Sequence, residues 1–393
     1  VIDDSWVKKP FEELRQLGVI PQVEGLYCQD MPGFDGSLIS HAHSDHFGLL
    51  KYIHPGIPVY LSETTDKLME MNLSFPIPGY SERDRRLIKM YEPFSIGDFT
   101  IKPFLTDHSA FAAAAFEISC EGKSIIYTGD FRGHGRRRTY LDRFLKEAEK
   151  GADLLLIEGT TLGRTGESEY TEEELEERIA QAMEMSGGIV LCQPTSQNID
   201  RVISFYKAAK SCGKIFVMDI YTARVLDELR RIGWKDLPVP SLLRPDIRVY
   251  RPRMLAAKME KLLGKGSTKG FRAFTVSGRA SGRKQDQIAM LIRPSALSDL
   301  KLMGLRNGLL IYSQWQEYRD KPYQVRLESY LKSRGFSDCY LHTSGHAFEG
   351  DIQKVIKELS PKEIVPIHTF CPEAFLKFHA NVTLRRDGVP FRL

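Results

Sequence analysis

The sequence predicts an α/β protein, and three features carry that expectation. Short apolar runs recur along the chain and end in polar or glycine residues, as buried strands feeding loops do. Helical periodicities separate these runs, so strand and helix alternate. Histidines and aspartates stand at the ends of several runs, where α/β folds gather their chemistry.

The runs are Ser37–Ser40, Ser124–Tyr127, Leu154–Ile157, Gly188–Leu191, Lys214–Met218, Leu309–Tyr312 and Glu363–Ile367. Thr171 and Glu174 form a capping box that opens a helix running towards Met185. Ile199, Val202, Ile203, Tyr206 and Ala209 recur at helical spacing, and Val325–Arg334 and Ile352–Leu359 read as helices too. A chain of 393 residues is too long for one ordinary core, which predicts two domains or one domain with a large insertion. With 42% hydrophobic and 27% charged residues it is globular rather than disordered. No apolar run is long enough to span a bilayer and no signal-peptide pattern opens the chain, so no membrane partner is expected. Six cysteines without a CxxC pair fit reduced thiols in a cytoplasm better than disulfides or a cysteine zinc site.

Net charge is only +4, so its distribution matters more than its sum. Arg248, Arg251, Arg253, Lys258, Lys261, Lys265, Lys269, Arg272, Arg279 and Arg283 crowd one glycine-rich stretch, opposed there by Asp246 and Glu260. By itself such a run reads as a solvated surface. The sharper alternative is a groove wall that attracts phosphates, for which Arg251, Arg253, Arg279 and Arg283 are the candidates.

His41-Ala42-His43-Ser44-Asp45-His46 places four metal-capable side chains within six residues, directly after an apolar run. Buried histidine and aspartate are costly unless paired or ligated, so this cluster reads as a metal site. Imidazole suits zinc, and a carboxylate can complete or bridge a site. One loop cannot supply every ligand for a metal pair. His108, Asp130 and His368 each follow an apolar strand and are the expected distant ligands.

The cluster, His108, the Thr128-Gly129-Asp130 turn and the late His368 resemble the successive motifs of the metallo-β-lactamase superfamily. Three further features resemble its β-CASP nuclease branch, which includes ribonuclease J and the mRNA cleavage factor of polyadenylation. Glu158 sits where that branch has an acidic motif, His346 within His342-Thr343-Ser344-Gly345-His346 matches its second motif, and Pro366-Ile367-His368 its third. The resemblance implies an αββα sandwich carrying an inserted α/β β-CASP domain, with residues 1–170 and 324–393 forming the first and 171–323 the second. Asp3 resembles the first acidic motif, and the hairpin expected before it is absent from the sequence, which opens on Val1. The segment Ser109–Ala115 is richer in alanine than the family's glycine-containing turn.

The resemblance also implies roles. One zinc would take His41, His43 and His108, and the other Asp45, His46 and His368, with Asp130 bridging. Manganese is the alternative metal. A hydroxide between the metals would be the nucleophile, with Asp45 in the catalytic group. Glu158 would orient a histidine rather than bind metal. His346 would protonate the leaving oxygen. Ser344, the Gly345 backbone and His342 would hold a phosphate. Trp315, Phe271, Phe274 and Tyr221 are candidates to stack bases, though aromatic residues are more often core.

The expected activity is a metal-dependent phosphodiesterase, with RNA favoured over DNA because His368 occupies the third motif. The alternatives are a DNA exonuclease of the same branch, a small-ester or amide hydrolase, and a non-catalytic nucleic-acid-binding subunit. Homo-oligomerisation stays open.

Overall fold

The computed structural model describes residues 9–386 other than 75, 167 and 276–284, together with 389–393. Asp3 lies outside them, as do Arg279 and Arg283. In chain order the strands are β1 (Ser37–Leu38), β2 (Val59–Ser62), β3 (Arg85–Ile88), β4 (Phe94–Ile96), β5 (Phe99–Thr106), β6 (Ala113–Cys120), β7 (Lys123–Tyr127) and β8 (Leu154–Glu158). There follow β9 (Val190–Gln193), β10 (Ile215–Asp219), β11 (Ile247–Tyr250), β12 (Ile288–Leu291), β13 (Leu309–Tyr312), β14 (Ser337–Tyr340) and β15 (Ile364–Ile367). Among the described residues they form three sheets, ordered β1-β2-β3, β15-β8-β7-β6-β5-β4 and β11-β10-β12-β9-β13-β14.

The first two sheets pack face to face. Period-two alternation sends Ala114 and Phe116 of β6 towards Tyr60 and Ile88 of the small sheet. Ala115, with Phe104 of β5, faces the other way, onto Leu141 and Phe144 of the helix Arg138–Glu147 and Ile352 and Val355 of the helix Glu349–Leu359. On the outer side of the small sheet, Leu68 and Met69 of the helix Glu63–Glu70 share a core with Val59 and Leu61. This is the helix–sheet–sheet–helix layering expected from the sequence. The alanine run that departs from the family turn opens β6, where Ala113, Ala114 and Ala115 are buried between these layers.

The third sheet is wholly parallel. β9, β12 and β13 are buried at every position, which is why they read as unbroken apolar runs. Leu191, Met290 and Leu310 point to Leu327 and Leu331 of the helix Pro322–Ser333. Val190, Cys192, Leu291 and Ile311 point into the same core that holds Leu68 and Met69, so the middle stretch is packed onto the first half of the chain. Trp234 Nε1 reinforces that seam by donating to Thr64 Oγ1 at 2.8 Å. β14 pairs with β13 from Leu309↔Ser337 to Tyr312↔Tyr340. We propose that the inserted segment runs on to Tyr340, past the boundary expected at 323, because its last strand completes this sheet. No helix among the described residues is long and apolar enough to cross a membrane.

The capping box predicted at Thr171 is present: its hydroxyl accepts from Glu174 N at 3.1 Å, and the Glu174 carboxylate accepts from Thr171 N at 2.8 Å. The helix it opens, Glu172–Glu184, begins with a fully buried carboxylate. Burial alone would raise the Glu172 carboxyl. The guanidinium groups of Arg201 and Arg132, with the Ser204 hydroxyl, outweigh that and hold it well below the usual carboxylate range. A depressed carboxyl contributes stability above its unfolded pKa of about 4.3 and loses it as the pH falls towards the folded value. Urea unfolding midpoints should therefore drop steeply below about pH 4.3, and Glu172→Gln should flatten that drop while lowering the neutral-pH midpoint. Parallel pH profiles for the two proteins would contradict it.

Candidate metal centre

β5, β7, β8 and β15 run in one direction, since β5 and β7 are each antiparallel to β6 while β7, β8 and β15 are mutually parallel. Their carboxyl ends therefore share one edge of the sandwich. His108 follows β5, Asp130 follows β7, Glu158 ends β8 and His368 follows β15. From the neighbouring sheet, β1 delivers His41 and His43, and the four-residue helix Ser44–Phe47 turns Asp45 and His46 towards the same place. Gly129 makes the turn into Asp130 at φ +55°, and a Cβ there would come within 2.6 Å of the Ala114 carbonyl. A side chain at that position would push Asp130 off the edge.

Asp130 Oδ2 lies 3.0 Å from His46 Nε2, 3.7 Å from His41 Nε2, 3.7 Å from His108 Nε2 and 3.6 Å from His346 Nδ1. Asp130 Oδ1 is 3.9 Å from His368 Nδ1. The donor atoms of His41, His43 and His108 all lie within 4.8 Å of one another, as do those of Asp45, His46 and His368. His41 Nε2, His46 Nε2 and Asp130 Oδ2 are buried without a hydrogen-bond partner. Buried polar atoms left unsatisfied around one point fit a cation there. The donor set, imidazole with carboxylate, suits zinc and its neighbours.

The electrostatics agree. Burial drives His41 and His108 well below the ordinary histidine value, and His43 down to about 4, so these rings are neutral and keep a lone pair. Burial also acts on His46, but the Asp130 carboxylate 3.0 Å from its Nε2 more than offsets it and raises the ring.

Neighbouring groups fix which nitrogen each ring offers. His108 Nδ1 donates to the Gly345 carbonyl at 2.5 Å, leaving Nε2 to face His43 Nδ1 at 3.1 Å. The Thr160 hydroxyl donates to the His368 carbonyl at 3.0 Å and so accepts from His368 Nδ1 at 2.6 Å. His368 Nε2 then faces Asp45 Oδ2 at 3.4 Å. Ser40 Oγ lies 3.0 Å from His41 Nδ1. Sequence reasoning missed Ser40 and Thr160, since a lone hydroxyl beside a ligand carries no pattern of its own.

Glu158 is fully buried and accepts from Phe131 N at 2.9 Å, Thr160 N at 3.2 Å and His346 Nδ1 at 3.2 Å. This last contact suits orientation of His346, and the ligand atoms of Glu158, His346 and His368 also lie within 4.8 Å of one another. Ser344 is buried, and its hydroxyl accepts from His346 N at 3.2 Å. Gly345 lies so close to Ser109 that an added Cβ would meet Ser109 Oγ at 2.2 Å. The missing side chain at Gly345 thus makes room for Ser109. His342 turns away from the cluster, its Nδ1 lying 3.1 Å from Arg201 Nη1, and burial with that guanidinium lowers the ring to about 3. A neutral ring engaged by arginine is not a phosphate cation.

Of the basic stretch, Arg251 pairs with Glu260 at 2.9 Å, and Arg253 is exposed at the start of the helix Arg253–Leu262. Both follow β11, at the opposite edge of the third sheet from β14, whose end leads to His346. Five strand spacings, about 24 Å, separate them along one carboxyl rim. Phe271 and Tyr221 are core residues, and Phe274 packs against that core. Trp315 is partly exposed, with Arg164 over its ring at 5.0 Å and Tyr318 edge-on at 5.4 Å. Thr160→Val should lower the affinity for a divalent ion by about 10–100-fold in equilibrium dialysis, because the His368 ring would lose its fixed tautomer. Unaltered affinity would show that the hydroxyl does not orient the ring.

Residues 10–190 match the β-lactamase superfamily domain, and residues 339–375 match the Zn-dependent metallo-hydrolase RNA specificity domain. The chain is 24% identical to ribonuclease J of Sinorhizobium meliloti over 99% of its own length and 67% of that protein. It is 25% identical to ribonuclease J of Helicobacter pylori over 94% of its length and 52% of that protein. Ribonuclease J 2 of Streptococcus pyogenes is 24% identical, over 93% and 64% respectively. The chain thus spans between about half and two thirds of the length of these relatives. A crystal structure of a protein of unknown function from Enterococcus faecalis superposes with a TM-score of 0.78 at 21% identity, covering 97% of this chain and 89% of that one. That likeness concerns the fold. Taken with the sheet order and the histidine–aspartate cluster, the two domain matches and the relatives support a ribonuclease J-like protein of the metallo-β-lactamase superfamily, in its β-CASP branch.

Proposed function

We propose that the chain is a metal-dependent nuclease that cleaves RNA. The observation that carries this reading is the buried Asp130 carboxylate ringed by histidines, with His346 held by Glu158 immediately beside it. In this reading His41, His43 and His108 would hold one divalent ion and Asp45, His46 and His368 would hold a second, with Asp130 as a further ligand. Zinc suits the donors best, and manganese is the alternative. Such a pair, when bound, supplies Lewis-acid polarisation of a phosphodiester and activation of water.

The chain's own residues do the rest. Burial opposes charge on His346, but Glu158 and Asp130 outweigh it and raise the ring. As imidazolium it donates Nδ1–H to Glu158 and can give its Nε2 proton to the departing oxygen. The Ser344 hydroxyl, accepting from His346 N, keeps its proton for a phosphate oxygen. Arg251 and Arg253, on the same rim as the loop to His346, would extend the electrostatic path for a phosphate backbone. RNA is favoured over DNA because the relatives are named as ribonucleases and the segment holding His346 and His368 matches an RNA specificity domain. Free thiols at all six cysteines suit a cytoplasmic setting.

Incubation of the metal-loaded protein with 5′-phosphorylated single-stranded RNA and DNA of equal sequence should cleave the RNA faster. Cleavage of neither, with metal bound, would leave a binding subunit or a small-molecule hydrolase. His346→Ala should keep the wild-type metal content while turnover falls by about 10²–10⁴-fold. Loss of metal would make His346 a ligand instead. Neutralising Arg251 and Arg253 together should flatten the salt dependence of RNA binding, by about 0.7 in slope for each phosphate no longer neutralised. An unchanged slope would return both to the solvated surface.

A further inference from the structure

The loop that presents His346 is gripped at three successive carbonyls. The Thr343 carbonyl accepts from Arg201 Nη2 at 3.1 Å. The Ser344 carbonyl accepts from Arg132 Nη1 at 3.2 Å and from His134 Nε2 at 2.9 Å. The Gly345 carbonyl accepts from His108 Nδ1 at 2.5 Å. Arg132 and Arg201 are both fully buried, which is rare for guanidinium groups and costly unless every donor is matched.

The matching is complete enough to show what the two arginines hold. Arg132 binds Asp107 at 3.2 Å, Glu172 at 3.2 Å and Asp200 at 3.0 Å. Arg201 binds Glu172 at 2.8 Å, the Ser313 hydroxyl at 2.6 Å and His342 Nδ1 at 3.1 Å. These partners come from both parts of the fold. Asp107 and Arg132 neighbour the candidate ligands His108 and Asp130, whereas Glu172, Asp200, Arg201 and Ser313 belong to the middle stretch. Each arginine has donors left over after its carboxylates, and each spends one on the backbone next to His346. Matching those donors therefore ties the loop that ends in His346 to both buried arginines.

We propose that Arg201 and Arg132 are positioning residues for His346, and that Arg201 makes its placement depend on docking of the inserted segment. The proposal rests on the nuclease reading for its effect on turnover, though not for its effect on the loop. Carbonyls fixed at Thr343 and Ser344 leave the chain little freedom at Gly345 and His346. His346 Nδ1 then meets Glu158 at 3.2 Å, and His108 keeps its Nε2 towards His43. Withdrawing Arg201 frees one carbonyl and lets the loop drift from a geometry in which displacement of about 1 Å costs about 10²-fold in rate.

The test compares Arg201→Met, which keeps bulk and removes every donor, with Arg201→Lys, which keeps the charge but loses the planar fork. Both are made in the full metal-loaded chain. Three quantities are read: kcat and KM on single-stranded RNA, amide hydrogen exchange across residues 341–348, and bound metal. For Arg201→Met we expect kcat to fall about 10²-fold with KM within about threefold, and faster exchange confined to that loop. Arg201→Lys should recover part of both losses. Wild-type kcat in either variant would overturn the proposal, as would a rise in KM alone or equal losses in Met and Lys. If Arg201→Met does not fold, Glu172→Gln, which weakens the same clamp at constant volume, is judged by the same readings. If the wild-type chain cleaves neither nucleic acid, the nuclease reading falls and exchange decides alone. Unchanged exchange across 341–348 in Arg201→Lys then overturns the clamp, and faster exchange there supports it.

Discussion

The Asp130 carboxylate is buried, and nitrogens of His41, His46, His108, His346 and His368 approach it to between 3.0 and 3.9 Å. An isolated charge in such a place is too costly to keep, so the surrounding structure must supply what water would have done. Burial holds His41 and His108 neutral, and unsatisfied ring nitrogens converge on the carboxylate. The result is a donor set that fits a cation. Much of the sandwich follows from delivering those groups to one edge. Strands β5, β7, β8 and β15 all end there, and Gly129 is needed so that the turn into Asp130 can pass the Ala114 carbonyl.

A second layer of contacts decides how the rings are held. Ser40, Thr160, Glu158 and the Gly345 carbonyl each engage one histidine, and each thereby selects the nitrogen turned inward. Behind them Arg132 and Arg201 join Asp107, Glu172 and Asp200 to the backbone of residues 343 and 344. Buried ion clusters contribute little net stability, because desolvation cancels much of their attraction, but breaking one partner is expensive. Such a cluster fixes a geometry more than it stabilises a fold. Here the geometry it fixes is that of the loop ending in His346.

Much of this was legible from residue pattern. The apolar runs became strands within a residue or two, because strands buried on both faces cannot disguise their composition. The Thr171 capping box formed as read, since its contacts are local. Less was legible where a role depends on packing. His342 sits in a motif with His346 yet pairs with Arg201, and Tyr221 and Phe271, equally plausible as stacking residues, are core. The basic stretch begins at the far edge of a six-stranded sheet, a distance that spacing along the chain does not reveal.

Sequence by itself determined the α/β class, the position of each strand that carries a candidate ligand, and the identity of those residues, because metal-capable side chains at strand ends are a local signal. Tertiary structure decided which ring nitrogen of His108 and His368 a neighbour takes, that the Glu158 carboxylate meets His346 Nδ1, and that Arg132 and Arg201 hold the His346 loop from two sides. Those outcomes rest on hydrogen bonds between residues as much as 237 positions apart, as His108 and Gly345 are. Direction and distance between such partners exist only once the sheets have packed.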